Sequence, residues 1–142
     1  MKVALGSDEA TELTEALHRD LIRRGHQVEL FGALRSGDDD AWPSVGRRVG
    51  ESVIANECDS GIVCCWTGTG VSIAANKVSG VRAALCNDPE TVAGAREYND
   101  ANVLALSLRS LSIPAVKAML DAWFEGRPTA DPKYRAMIDR TS

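Results

Sequence analysis

The residues best suited to chemistry follow a short apolar run in the middle of the chain. The run 61–65 ends at Cys65, and the next five residues read Trp66-Thr67-Gly68-Thr69-Gly70. Where a strand passes through glycines into a helix, the N–H groups at the helix N-terminus favour an anion or a developing oxyanion. They also favour the thiolate form of a cysteine. The spacing therefore predicts that Cys65 removes a proton next to a carbonyl while the amides of 68–70 hold the enediolate. A buried, inert cysteine is the alternative.

The same glycines do not match a nucleotide-binding loop. The segment 68–70 lacks the third glycine of a dinucleotide fingerprint and the Gly-Lys-Ser/Thr ending of a P-loop, so we expect neither NAD nor ATP. The cysteines show no Cys-x-x-Cys spacing, and neither histidine completes a ligand motif, so no metal site or disulfide framework is expected. A thiol redox pair of Cys64 and Cys65 is a weaker alternative, because neighbouring strand residues point to opposite faces.

Five apolar runs typical of buried strands alternate with segments of helical periodicity. The runs are 2–6, 28–31, 61–65, 81–85 and 102–106. Leucines at 13, 17 and 21 mark one face of the first helix, and Asp88-Pro89 predicts the N-cap and first residue of another. This alternation predicts an α/β fold, a doubly wound sandwich with a five-stranded parallel sheet. A short C-terminal helix, about 132–139, is expected to pack elsewhere or on a partner subunit.

In such a sheet, ligands bind beyond the carboxyl ends of the strands. The loops after the first, third and fourth strands are therefore expected to matter most. Asp8, after the first strand, is either the N-cap of the first helix or a ligand for a hydroxyl group, and Glu9 could add a second carboxylate. His18 and His26 are expected to be surface or satisfied histidines.

Composition limits the class of protein. With 142 residues, 44% hydrophobic and 25% charged, the chain is expected to be one domain, 1–142, with a sizeable core. The net charge is −4 and no basic stripe is present, which disfavours nucleic acid as a partner. No apolar run approaches the ~18 residues of a membrane helix, and charges follow Met1 too soon for a secretory signal. We therefore expect no membrane partner and a cytoplasmic location.

The chain resembles the ribose-5-phosphate isomerase B and galactose-6-phosphate isomerase family. The segments that carry the resemblance are 61–77, 80–86, 97–106 and the opening Gly6-Ser7-Asp8. The resemblance covers nearly the whole chain and implies a Rossmann-like domain without metal or organic cofactor. It also implies a homodimer, or a tetramer, with sites at the subunit interface. Members interconvert aldose and ketose phosphates through a cis-enediol, so a sugar or sugar phosphate is the expected substrate.

The resemblance also implies roles for individual residues. Cys65 matches the catalytic base and Thr67 the threonine that helps to open the sugar ring. The anion hole for the enediolate matches Gly68, Thr69 and Gly70. Sugar-hydroxyl ligands match Asp8 and Asn99, and Arg109 matches a basic residue near the substrate phosphate.

Three positions depart from the family pattern. Glu9 stands where the family has a histidine, Tyr98 replaces the ring-opening histidine, and Trp66 replaces a glycine. A histidine exchanges protons near neutral pH, whereas a tyrosine mostly donates a hydrogen bond. The family also binds the substrate phosphate with C-terminal arginines. In this chain, only Lys133 and Arg135 lie near those positions.

Two functions follow from this pattern. The first is a cofactor-free aldose–ketose isomerase of the ribose 5-phosphate type, with Cys65 as base and Tyr98 assisting Thr67. The second is a diverged member that acts on another or an unphosphorylated sugar, or that binds sugars or phosphates without catalysis.

Overall fold

The computed structural model describes residues 1–141, which form five strands and six helices. The strands are β1 (Lys2–Ser7), β2 (Gln27–Gly32), β3 (Ser60–Cys65), β4 (Ala83–Leu85) and β5 (Val103–Ser107). The helices are α1 (Glu12–Arg23), α2 (Trp42–Ile54), α3 (Thr69–Asn76), α4 (Pro89–Asn99), α5 (Ile113–Glu125) and α6 (Pro132–Asp139). All strand pairs are parallel, in the order β2-β1-β3-β5-β4. The predicted α/β sandwich is confirmed.

Two apolar layers cover the sheet, one on each face. Helices α1, α4 and α5 pack on one face through residues such as Leu17, Val92 and Leu120. Helices α2 and α3 pack on the other through residues such as Val49 and Val71. Every residue of β3 is buried, as expected for a central strand covered on both sides.

Helix α2 lies close to α3 at Gly46 and close to the residues that follow α3 at Gly50, because neither position has a side chain. A Cβ built on Gly46 would lie 2.7 Å from the Ala74 Cβ and 2.7 Å from the Val71 carbonyl oxygen, and one on Gly50 would lie 3.0 Å from Val81 Cγ2. The backbones therefore meet at distances that no larger residue would permit. This contact fixes the position of α2 relative to the start of α3.

The helix starts agree with the sequence in one case and differ in another. Asp88 caps α4, its side chain accepting from Thr91 N at 2.7 Å, and Pro89 is the first helical residue, as predicted. Asp8 is not the N-cap of α1, because Thr11 caps that helix by a capping box with Thr14. The prediction of Asp8 as a cap is therefore wrong.

Strand β4 is shorter than the predicted run 81–85 and begins at Ala83. Arg82 N donates to Asn102 Oδ1 at 2.8 Å, and Ala83 N donates to Asn76 Oδ1 at 2.8 Å. These side-chain bonds replace ladder bonds at the start of the strand. The C-terminal helix 132–139 is confirmed in its bounds and contacts α4. Among the helices of residues 1–141, none has the length and apolar character needed to cross a bilayer.

Candidate active site

Cys65 is the last residue of β3 and lies at the carboxyl edge of the sheet. Its side chain belongs to the α2 and α3 face and is 5% exposed. Its carbonyl oxygen accepts from Leu108 N at 3.0 Å, which joins the end of β3 to the residues after β5. Val71, in the first turn of α3, packs in the same apolar cluster. The thiol therefore lies close to the N-terminal end of α3.

The loop between Cys65 and α3 is held by backbone contacts to the end of β5. The Trp66 carbonyl oxygen accepts from Arg109 N and from Ser107 Oγ, each at 3.0 Å. Arg109 is thereby placed next to the loop, with an exposed side chain. The Trp66 indole is 57% exposed, so a large apolar ring lies at the surface directly after Cys65 in the chain.

Gly68 forms the turn into α3 and cannot be replaced without strain. Its φ is 77°, a left-handed conformation that favours glycine, and a Cβ there would lie 2.6 Å from Leu85 Cδ1 and 3.0 Å from the Leu106 backbone. The first intrahelical bond of this turn runs from Ser72 N to Gly68 O. An α-helix leaves its first N–H groups without intrahelical acceptors, and no side chain caps α3, so the amides at this end can bind an anion.

Two threonine hydroxyls flank the same turn. Thr67 Oγ1 and Thr69 Oγ1 lie 2.7 Å apart and share a hydrogen bond, and both side chains are exposed. A hydroxyl pair can donate to one substrate oxygen while accepting from another. The loop 66–70 thus offers both amides and hydroxyls at the end of β3.

Asp8 brings an unpartnered carboxyl oxygen to the same edge. Its N–H donates to the Cys64 carbonyl at 3.4 Å, so Asp8 follows β1 directly beside the end of β3. Its Oδ1 atom is buried and has no hydrogen-bond partner among the described residues. Burial raises the pKa of Asp8, and the charges of Glu9 and Asp40 raise it further. A buried acceptor without a donor suits a ligand hydroxyl.

The remaining cysteines differ from Cys65 in their surroundings. Cys64 packs on the opposite face, with α1 and α5, and its full burial strongly raises the pKa of its thiol. Burial, with the nearby charge of Asp88, raises the pKa of Cys86 to about 11. All four cysteines are free thiols. Because Cys64 and Cys65 point to opposite faces, the geometry argues against a redox pair.

Four other predicted residues lie elsewhere. Tyr98 and Asn99 end α4, which leads into the start of β5 and therefore lies at the amino edge of the sheet. The five residues of β5 separate this edge from Cys65 by roughly 15 Å. Lys133 and Arg135 belong to α6, which contacts α4. A single chain does not bring these residues to the thiol.

The amino-edge group is organised around a carboxylate. Asp100 has a φ of 47° and lies within 3.5 Å of guanidinium nitrogens of Arg82, Arg96 and Arg135. The Tyr98 ring lies 4.9 Å from that of Tyr134. These tyrosines, with Asn99, line a cavity of about 630 Å³ that Cys65 does not reach. The other lining residues include Asn76, Ala84 and Ile138.

One residue near the thiol loop was not predicted. Trp42 begins α2, and its indole lies against the α-carbon of Gly70. The sequence signal is an aromatic residue directly before Pro43, at a helix start that follows β2 and therefore also lies at the carboxyl edge. The loop after β2 was not among those expected to matter. Within residues 1–141, no group of three or more metal-ligating side chains occurs.

Comparison with known proteins agrees with this fold. A family model described as Ribose/Galactose Isomerase matches residues 3–139. The chain belongs to this family of aldose–ketose sugar-phosphate isomerases. Ribose-5-phosphate isomerase B of Escherichia coli is 37% identical over 123 residues, which cover 86% of this chain and 82% of the relative.

Two further relatives extend the comparison. A D-erythrulose-4-phosphate isomerase of Pectobacterium atrosepticum is 32% identical over 135 residues, 92% of this chain and 89% of that protein. The solved structure of ribose-5-phosphate isomerase B from Clostridium thermocellum is 35% identical and superposes with a TM-score of 0.90, covering 99% of this chain and 94% of that one. The family therefore includes proteins named for sugars of different length.

Proposed function

We propose that this sugar-phosphate isomerase interconverts an aldose and a ketose phosphate of the ribose 5-phosphate type through a cis-enediolate, with Cys65 as the base. The observation that supports it most is the position of Cys65 at the end of β3, directly before the first turn of α3. A base and an oxyanion site must lie within a few ångströms of one substrate carbon, and this loop offers both.

The chemistry requires one proton to move and one charge to be held. The Cys65 thiolate takes the proton from C2 of the aldose, and the electron pair of that C–H bond forms the C1–C2 double bond of the enediolate. The carbonyl oxygen on C1 then carries the negative charge, which the amides of 68–70 stabilise. A proton then passes from the hydroxyl on C2 to the oxygen on C1, and return of the proton from Cys65 to C1 gives the ketose and regenerates the thiolate. Thr67 and Tyr98 would assist opening of the sugar ring.

A homodimer, or a tetramer built from it, is part of the proposal because the candidate residues lie at two edges. Asp8, Glu9, the loop 66–70 and Arg109 accompany Cys65. Tyr98, Asn99, Lys133 and Arg135 would reach the substrate only from a second copy. In that arrangement, Asp8 and Asn99 would bind sugar hydroxyls, and arginines from both copies would bind the phosphate.

Three residues that differ from the family pattern bear on which sugar is bound. Glu9, Tyr98 and Trp66 replace two histidines and a glycine of the family pattern, and each change alters the size or charge of the pocket. The Pectobacterium relative is named for a four-carbon sugar phosphate. A different or unphosphorylated sugar, or binding without catalysis, is therefore the second candidate.

The four free thiols fit a reducing cytoplasmic location, and no cofactor is required by this chemistry.

Deuterium exchange tests the proposal directly. In D₂O, enolisation carries solvent deuterium into C1 or C2 of the true substrate, which mass spectrometry detects without knowledge of the equilibrium. A panel of four-, five- and six-carbon aldose and ketose phosphates, with the unphosphorylated sugars, identifies the preferred one. We expect exchange in at least one phosphate and its loss in Cys65→Ala.

The matched control is Cys58→Ala. Cys58 is also a buried, free thiol, but it precedes β3 at the amino edge. The Cys58→Ala variant should leave deuterium exchange unchanged. Full exchange in Cys65→Ala would overturn the assignment of the base. Binding of a sugar phosphate to the wild-type protein with no exchange in any sugar would favour the non-catalytic alternative.

A further inference from the structure

Trp42 covers a glycine of the thiol loop. A Cβ built on Gly70 would lie 2.8 Å from Trp42 Cδ2 and 2.9 Å from Cε3, so the benzene part of the indole lies directly against the Gly70 α-carbon. Real Cβ contacts are not this short, and the ring can occupy this position only because residue 70 is glycine. The contact couples α2 to the loop that precedes and begins α3.

The direction of this contact places the indole at the open end of α3. Each Cα–Cβ bond of an α-helix is tilted toward the helix N-terminus, and Gly70 is the second residue of α3. The ring therefore fills the space where a first-turn side chain would point, beside the amides of 68–70. The Trp42 side chain is 43% exposed, so part of its surface is free to contact a ligand.

The start of α2 is held in place before any ligand arrives. Asp39 accepts from Ala41 N at 3.0 Å and from Ser44 Oγ at 2.7 Å, which bracket Trp42 in the chain. Asp38 bonds Gly32 N at 2.7 Å and forms an ion pair with Arg48 at 2.6 Å. An aromatic ring fixed in this way offers an apolar surface at little entropic cost on binding.

We propose that Trp42 is a specificity-determining residue of the isomerase site, which packs its indole against the C–H face of the sugar whose oxyanion the amides of 68–70 hold. The inference rests on the proposed function, because it assumes a sugar at that position. Trp42 and Trp66 then form two apolar walls of the site, and the sugars that fit between them are those with one face free of hydroxyl groups near the reacting carbons.

Substitution of Trp42 tests this role through KM and substrate preference. We expect Trp42→Ala to raise KM for the preferred sugar phosphate about tenfold with a much smaller change in kcat. The ratio of kcat/KM between four-, five- and six-carbon substrates should also change. Trp42→Phe, which retains an aromatic face, should restore most of the affinity. A purely structural role would lower kcat for every substrate equally.

Ile54→Ala is the matched control. Ile54 ends the same helix, is 41% exposed and also covers a glycine, since a Cβ on Gly80 would lie 3.1 Å from Ile54 Cδ1. It lies at the far end of α2 from the thiol loop and should change neither KM nor substrate preference. Equal effects of Ile54→Ala and Trp42→Ala, or an unchanged substrate ratio in Trp42→Ala, would overturn the inference.

Calorimetric binding separates this inference from the proposed function. The probe is a phosphorylated aldonate, whose planar carboxylate resembles the enediolate. Wild-type protein should bind it, and Trp42→Ala should bind it about tenfold more weakly. If the wild type binds the probe but catalyses no exchange, the catalytic proposal fails while the comparison of the variants still decides the role of Trp42. If the wild type neither binds the probe nor exchanges any sugar, both fail.

Discussion

The two edges of the sheet hold their candidate residues by different means. At the carboxyl edge, backbone contacts place the loop 66–70, and Gly68 and Gly70 allow the close approaches that shape it. At the amino edge, side-chain charges do the same work, because Asp100 gathers Arg82, Arg96 and Arg135 around the end of α4. The first arrangement depends on shape and the second on electrostatics.

This difference shows which half of the site one chain can supply alone. The thiol, the amides and Asp8 lie together within a single chain. The amino-edge residues lie at the opposite edge of the sheet, roughly 15 Å from the thiol. Since sheet topology fixes which ends of the elements share an edge, no side-chain motion can unite the two groups within one chain. The comparison therefore predicts that each copy contributes one half to two different sites.

Mixing two inactive variants gives the largest expected effect. Cys65→Ala and Asn99→Ala should each lose about 10²- to 10⁴-fold in turnover, if both contribute to proton transfer and positioning. When the two are unfolded together and refolded, about a quarter of the sites should regain both wild-type residues, in the C₂ arrangement that most homodimers adopt. Activity is measured before and after mixing.

The control for this experiment is a single chain that carries both substitutions. This double variant should gain no activity when it is refolded alone, with Cys65→Ala or with Asn99→Ala, because none of these samples contains a site with both wild-type residues. Failure of the mixed refolding, with proven exchange of subunits, would mean that the amino edge takes no part in the site.

Gly68→Ala tests the carboxyl edge, where backbone contacts hold the loop 66–70. The variant must hold a Cβ at positive φ and against the Leu106 backbone, so we expect a loss of about 3 kcal/mol in the free energy of unfolding together with lost activity. Gly37→Ala is the control, since Gly37 also has a positive φ of 75° but open space around its Cβ position. It should lose only about 1 kcal/mol. Urea unfolding measures both, and equal losses would show that the contacts around Gly68 are unimportant.

Asp100→Asn tests the amino edge, where charged side chains surround the end of α4. Asparagine tolerates the left-handed backbone, so the change removes the charge while keeping the turn. The three guanidinium groups lose their shared partner, and we expect a loss of about 1–3 kcal/mol in stability that shrinks at high salt. Asp121→Asn, which removes a 60% exposed partner of Arg24, should cost less than about 1 kcal/mol. Thermal unfolding of both variants at two salt concentrations measures the two losses of stability and their dependence on salt.

Asp8→Asn gives the smallest effect, and its size depends on pH. Burial raises the pKa of Asp8, so the folded chain binds its proton more tightly than the unfolded chain does. The ionised carboxylate therefore opposes folding at pH 7, and the variant should be more stable there by up to about 0.5 kcal/mol. The gain should disappear as the pH falls through the pKa of Asp8 and the wild-type carboxyl becomes neutral. A gain that persists in acid would contradict this assignment, and Glu9→Gln is the exposed control.

Much of the fold could be predicted because local signals agreed with the packing. The leucines of α1, the uniform burial of β3 and the Asp88-Pro89 start of α4 each carry a physical reason in the sequence itself. Asp8 was harder, since a short acidic residue before a helix fits both a cap and a ligand role. Only the capping box of Thr11 and Thr14, a local contact with threonine in place of the usual Glu or Gln at its second position, separates the two.

The site was predictable in part for a similar reason. The thiol loop has a local signature of residue types and spacing, so Cys65 and its glycines could be chosen from the sequence. The separation of Tyr98 from Cys65 follows from the order of elements, since a helix that leads into β5 must end at the amino edge. The contact of Trp42 with Gly70 joins residues far apart in the chain, and no local pattern encodes it.

The close contact of α2 with α3 at Gly46 has a practical consequence for the design of variants with an altered substrate preference. One methyl group added at Gly46 must push α2 away from Ala74, and the tip of that helix carries the indole with it. We therefore expect a substitution at Gly46 to widen the proposed sugar site while Cys65 on β3 keeps its place, although Gly46 itself lies outside that site.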